Sequence, residues 1–195
     1  FDPNVMAKRV NQADGQDLVM TSASNYYEGV TQKEAEEFYS AMKNPNDTMP
    51  IMFGMNSRLV KENGKVYEKV WKSGALYGAA IDKVIFWLEK AEQVAENDTQ
   101  KAVITKLIQF YKDGNLKTFD EYAIQWVKDL DSRIDFVNGF TESYGDPLGL
   151  KASWESIVNF KDLEATKRTE TISSNAQWFE DNSPVDKKFK KETVK

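Results

Sequence analysis

Apolar residues recur along this chain in two rhythms, and each change of rhythm marks an element. Between residues 78 and 96, Ile81, Val84, Ile85, Leu88, Ala91 and Ala95 fall three or four positions apart, which puts them on one face of an amphipathic helix. Val103, Ile104, Leu107, Ile108 and Tyr111 repeat the pattern, with Asp98 or Thr99 as the cap and Gly114 as the stop of a second helix. Thr118 opens a third, which carries Tyr122, Trp126 and Leu130. Short loops between these helices predict a helical subdomain. Upstream, TQKEAEEFYSAM predicts a shorter helix. Thr31 and Glu34 make a capping box, Ala35, Phe38, Tyr39 and Met42 share a face, and the NPND turn at 44–47 ends it.

The second rhythm has period two. In MNSRLVKENGKVYEKVW (55–71) two alternating segments flank Asn63-Gly64, the pair that a type I′ turn favours because both positions need positive φ. A β-hairpin is predicted there. WESIVNFKD (154–162) alternates as a strand does, with Trp154, Val158 and Phe160 on one face. Residues 163–180 predict a final helix that ends near Trp178, Phe179 and Ser183-Pro184, whereas residues 1–24 keep neither rhythm and are expected as a loop or an incomplete helix. The fold class is α+β. No internal repeat and no Gly/Ser-rich or Pro-rich linker marks a domain boundary.

Composition narrows the chemistry. Of 195 residues 41% are hydrophobic and 12% aromatic, enough for a sizeable core. Lys plus Arg number 26 against 31 Asp plus Glu, so no clustered basic excess points to nucleic acid. The one basic cluster, DKKFKKETVK at 186–195, is interleaved with acids and reads as a solvated tail or a cut end. Cysteine and histidine are both absent. Their absence from the chain removes disulfides, thiolate and histidine catalysis, and the commonest zinc ligands. Carboxylates, Tyr, Lys, Ser and Thr remain, together with oxygen-ligated Mg or Ca. No EF-hand, Walker-type loop or GxGxxG occurs. No apolar run approaches the ~18–20 residues of a membrane span, and FDPNVMAKRV does not read as a signal peptide. The chain opens without Met and is expected to be cut from a longer polypeptide. A cysteine-free chain suits a reducing cytoplasm, although a periplasmic origin stays open.

The decapeptide FTESYGDPLG (140–149) is the candidate site. Glu142 and Asp146 resemble an acid and base pair of the kind glycoside hydrolases use, but one short loop rarely holds two carboxylates on either side of a sugar. A turn Asp before Pro and an exposed Glu explain the spacing as well. Asn46-Asp47-Thr48 and Asn97-Asp98-Thr99 match glycosylation sequons and read better as a turn and a helix cap. Trp71, Trp87, Trp126, Trp154 and Trp178 sit at helix and strand spacing, which favours core packing over stacking on a ligand. Asp129, Asp131 and Asp135 lack the Gly and distal Glu of a calcium loop and read as a solvated helix end.

The stretch DFVNGFTESYGDPLGLKASWESIVNF (135–160) resembles the dipeptidyl peptidase III family of zinc-dependent exopeptidases. Its G-F-x-E-x-Y-x-D-P-x-G block stands here as Gly139, Phe140, Glu142, Tyr144, Asp146, Pro147 and Gly149. The hairpin MNSRLVKENGKVYEKVW, the paired helices before the block and QWFEDNSPVDKKFKK after it are similar too. The likeness therefore covers roughly residues 50–195 in order. The resemblance implies a two-lobed enzyme that releases dipeptides from peptide N-termini. One lobe would contain a small five-stranded β-barrel, and residues 1–162 would belong to it; residues 163–195 would lead toward a helical lobe that carries zinc. The metal would be bound by an H-E-x-x-G-H motif and a further Glu, none of it in this chain. The chain alone is expected to be inactive and to need the zinc lobe of the same polypeptide as its partner. For the site, the resemblance implies that Glu142 binds the α-amino group of the peptide substrate. Tyr144 would orient the scissile carbonyl and stabilise its developing oxyanion. Both side chains would share a face if the segment is extended. Asp146 and Pro147 would then form a structural exit, and asparagines that grip the substrate amine would lie beyond Lys195. Gly145 departs from relatives that carry a basic residue there, which leaves the charge around the turn open. The rival expectation is a free-standing α+β binding module in which Glu142 and Tyr144 only stabilise a turn.

Overall fold

The structure is a computed structural model and describes residues 8–194. Its elements follow the order β1 (Tyr27–Glu28), α1 (Gln32–Ser40), β2 (Ser57–Glu62), β3 (Lys65–Val70), α2 (Gly78–Glu92), α3 (Asp98–Asp113), α4 (Leu116–Trp126), β4 (Ile134–Glu142), β5 (Ser153–Phe160), α5 (Leu163–Ser173) and α6 (Ala176–Asn182), with a 3-10 turn at Lys187–Phe189. The α+β class is as expected. The chain divides into two compact units. One runs to Ser132 and includes Phe136–Ile157; the other holds Arg133–Asp135 and the residues from Val158 onward.

In the first unit the predicted hairpin forms with β2 and β3 antiparallel, from Ser57 opposite Val70 to Glu62 opposite Lys65. Asn63 and Gly64 take φ of 51° and 76°, the two positive values the turn requires. β1 adds to β2 in parallel, Tyr27 beside Leu59. A second sheet pairs β4 with β5. With three strands in one sheet and two in the other, neither closes on itself among the described residues, so the barrel implied by the resemblance is not formed by these strands alone.

The helices hold most of the sequence expectations, and the differences lie at their ends. The Thr31 capping box of α1 is complete in both directions. α3 is capped one residue earlier than expected, because the Asn97 side chain accepts from the Gln100 amide. α4 starts at Leu116 under an Asn115 cap; Thr118 lies inside it and gives its hydroxyl to Asp113 instead. Leu130 falls beyond that helix and is 77% exposed. β4 is not legible as a strand because Val137 and Asn138 break the alternation set by Ile134, Phe136 and Phe140. Asp135 therefore sits on a strand and not at a helix end. Residues 8–24 form turns, as a loop would.

The core of the first unit is largely aromatic. Phe110 of α3 meets Phe119 of α4 at 4.6 Å between ring centroids, and Trp71 meets Phe140 of β4 at 5.0 Å. Gly139 lets the strand approach this cluster, since a Cβ there would lie 2.7 Å from the Phe119 ring. A smaller cluster joins Val30, Ala35, Tyr39 and Leu59. Trp71 is buried and Trp126 packs against the main cluster. Trp87, Trp154 and Trp178, expected in the core, are instead 70%, 46% and 60% exposed.

In the second unit the predicted final helix is two helices. Ser174 and Asn175 break it by turning their side chains back to the Thr171 carbonyl, an alternative to helical backbone bonds. Asp162 caps α5 through the Glu164 and Ala165 amides. The basic stretch is more ordered than a solvated tail: Lys190 Nζ donates to the Asp181 and Ser183 carbonyls, and the Val194 amide to Gln177.

Candidate functional site

β4 delivers Glu142 as its last residue, and the chain then folds into a turn that is anchored from beneath. The Asp146 amide donates to the Ser143 carbonyl at 3.0 Å, and the Gly149 amide to the Asp146 carbonyl at 3.1 Å. The Asp146 side chain points inward and is 3% exposed. Its Oδ2 accepts three hydrogen bonds, from the Tyr27 hydroxyl at 2.9 Å and the Leu150 and Lys151 amides at 2.7 and 2.8 Å. Bonds to an ionised acceptor are among the strong ones, and three on one oxygen hold the backbone of the turn to β1. Burial and, after it, the neighbouring carboxylate push the Tyr27 hydroxyl well above its ordinary pKa, so it stays a donor at neutral pH.

Directly after the turn comes Lys151, which is wholly buried. Its Nζ donates to the Tyr39 hydroxyl on α1 and to Ser57 Oγ on β2 at 2.8 Å, and lies 3.7 Å from the Glu68 carboxylate on β3. Tyr39 and Ser57 each donate onward to Glu68. Desolvation lowers the Lys151 pKa to about 8 against the partial support of Glu68 and Asp146. None of this knot was anticipated from sequence except Asp146 as a turn anchor. Its one trace is an isolated Lys inside the run LGLKA.

The two predicted site residues lie outside this anchor. Glu142 is exposed, and the Ser153 hydroxyl donates to its backbone carbonyl at 3.2 Å. Tyr144 is 75% exposed. The strand ends at Glu142 and Tyr144 lies in the turn, so the extended backbone that would give them a common face stops between them. Gly145 packs under Arg9, whose Nη2 is 2.9 Å from where a Cβ would stand. The positive charge beside the turn thus comes from Arg9. With Asp146 turned inward and its Oδ2 fully engaged, Glu142 and Asp146 do not form a pair of carboxylates across a ligand. Among the described residues no three His, Cys, Asp or Glu side chains cluster to hold a metal ion. An apolar cavity of about 390 Å³ lies on the core side of the same strand, lined by Trp71, Tyr77, Ile81, Phe140 and Trp154.

The profile of peptidase family M49 matches residues 7–195. The chain belongs to this family. Among M49 relatives, the dipeptidyl peptidase 3 of Dictyostelium discoideum is 30% identical over 112 residues, which cover 57% of this chain and 16% of that protein. The human dipeptidyl peptidase 3 is 25% identical over 116 residues, again 16% of its length. Nudix hydrolase 3 of Arabidopsis thaliana is 24% identical over 174 residues, 85% of this chain and 22% of that one. The solved structure of DPP III from Caldithrix abyssi superposes with a TM-score of 0.65 at 19% identity, covering 95% of this chain and 35% of that one. This chain therefore shares the fold of part of a longer DPP III, matching about a sixth of the length of the curated dipeptidyl peptidases and 35% of the Caldithrix abyssi structure. The family match extends N-terminal of residue 50, further than the sequence likeness suggested. It does not favour an unrelated free-standing binding module.

No helix among the described residues is long and apolar enough to cross a membrane.

Proposed function

We propose that this chain is the peptide-binding part of a zinc-dependent, dipeptidyl peptidase III-like exopeptidase that removes dipeptides from peptide N-termini, and that it is inactive by itself. Membership of a peptidase family, relatives named as dipeptidyl peptidases and the small share of their length that the chain spans support this. In this account residues 1–162 belong to the lobe without zinc, where their strands join others in a small barrel. Residues 163–195 lead toward the zinc lobe. The chain's own donors do not suit zinc, since it has no His and no Cys and its described carboxylates form no cluster. The zinc ligands and the water-activating base belong to the remaining lobe of the same polypeptide.

The observation that carries the proposal is the anchored turn: Asp146 is drawn inward by three donors while Glu142 and Tyr144 stay exposed on either side of Ser143. A carboxylate held on a fixed backbone pairs an ammonium strongly once a substrate displaces water. By gripping the α-amino group, Glu142 measures a set distance to the bond that is cut. Tyr144 supplies a neutral hydrogen-bond donor, suited to a carbonyl oxygen that gains negative charge in the transition state.

Glu142→Gln in the full-length polypeptide tests this, since it keeps the shape and removes the charge. The expected result is a fall in kcat/KM of about 10- to 100-fold for a peptide with a free N-terminus, the worth of a hydrogen bond to a charged group. The N-acetylated peptide should be equally poor with both enzymes. A kcat/KM unchanged for the free peptide rejects the assignment.

A further inference from the structure

The turn is anchored twice, and the second anchor is chemically unlike the first. Asp146 ties the turn to β1 through Tyr27. Lys151 ties the residue after it to every other element below: α1 through Tyr39, β2 through Ser57 and β3 through Glu68. The ammonium also lies 5.8 Å from the ring centroid of Tyr27, within the range of a cation–π contact. A hydrocarbon side chain would fill such a site without any desolvation cost, whereas a buried ammonium opposes it. What the ammonium adds that a hydrocarbon cannot is direction. Its bonds have fixed partners and lengths, so they admit one register of the chain on the sheet.

That register leads straight to the candidate site. The Lys151 amide is bonded to Asp146 Oδ2, and the Asp146 amide to the Ser143 carbonyl between Glu142 and Tyr144. We propose that Lys151 is a positioning residue for the peptide-binding turn: its ammonium, caged by Tyr39, Ser57 and Glu68, sets the register of residues 146–151 and thereby the aim of Glu142 and Tyr144. The inference rests on the assignment of this turn as the peptide site.

The test compares Lys151→Met with Glu142→Gln in the full-length polypeptide, with kcat/KM on a free-amine peptide and amide hydrogen exchange as the two readouts. For Lys151→Met, kcat/KM should fall about tenfold, as displacements of a positioning group do. Exchange across residues 143–151 should accelerate about tenfold while the α3 amides keep their wild-type rates, since local opening leaves the rest of the fold protected. Wild-type exchange in the turn, or acceleration spread equally to α3, overturns the proposal. If Glu142→Gln loses activity and Lys151→Met does not, the peptide site stands and the positioning role falls. If Glu142→Gln keeps full activity, the peptide site itself is removed, and the positioning role with it. Should Lys151→Met not fold, Ser57→Ala removes one bond of the same cage and is held to the same outcomes.

Discussion

The aromatic cluster around Phe110 and the polar knot around Lys151 both lie within the first unit and are held together by opposite chemistry. Around Phe110, side chains from α2, α3, α4 and β4 meet through rings and aliphatic groups that have no fixed partner. Around Lys151, an ammonium and two hydroxyls bond one another and a neighbouring carboxylate, and nearby Asp146 Oδ2 accepts from Tyr27 and two amides. Burial of the first kind supplies free energy in proportion to area and tolerates small shifts. Burial of the second kind adds little or even opposes folding, yet it admits one geometry. The strong core is the larger of the two, and the turn with Glu142 and Tyr144 is mounted on the selective one.

Three measurements can break or sharpen this contrast. The largest effect belongs to the apolar side: Phe110→Ala, at a residue 1% exposed, should destabilise by about 3–5 kcal/mol in denaturant unfolding. A loss under about 1 kcal/mol would show that the cluster is not the main support. Asp146→Ala comes next, at about 2–3 kcal/mol, because the Tyr27 hydroxyl and the Leu150 and Lys151 amides lose their acceptor in a buried place. An equal loss from Asp146→Asn would mean that its charge, and not the bonds alone, holds the turn.

The smallest effect is a pH dependence. The folded Lys151 titrates at about 8 against an ordinary 10.5, so between those values the folded chain binds fewer protons than the unfolded one. Stability then rises with pH, on the order of 2 kcal/mol by pH ~10. Tyr27 and Tyr39 are pushed above the ordinary tyrosine value of 10.0 mainly by burial. Above pH ~10 the unfolded chain ionises its tyrosines first, and the slope turns downward. Lys151→Met should abolish the rise and leave the fall. A flat wild-type profile from pH ~8 to ~10 would mean that Lys151 reaches water after all.

The same contrast separates what could be read before the structure from what could not. The α3 stripe from Val103 to Tyr111, the Thr31 capping box and the Asn63-Gly64 turn depend on neighbours within a few positions, and each is present as expected. Cap positions slipped by a residue or more because Asn97 and Asn115 compete with Asp98 and Thr118 for the same role. Exposure was harder: Trp87, Trp154 and Trp178 follow core spacing without lying in the core of this chain. At the site, the block from Gly139 to Gly149 was recognisable as a run of residue types and named Glu142 and Tyr144.

The amino-acid sequence by itself therefore determined the local periods, the hairpin, the helix ends to within a few residues and the family-like block. Tertiary structure alone decided that Asp146 faces inward, that Arg9 stands beside Gly145, and that Lys151 meets Tyr39 and Ser57. The physical reason is separation along the chain. Lys151 lies 112 residues from Tyr39 and 94 from Ser57, and Asp146 lies 119 from Tyr27. Periodicity and capping act over a turn of helix or a pair of strand residues. A buried polar knot acts only when the folded chain brings its members together.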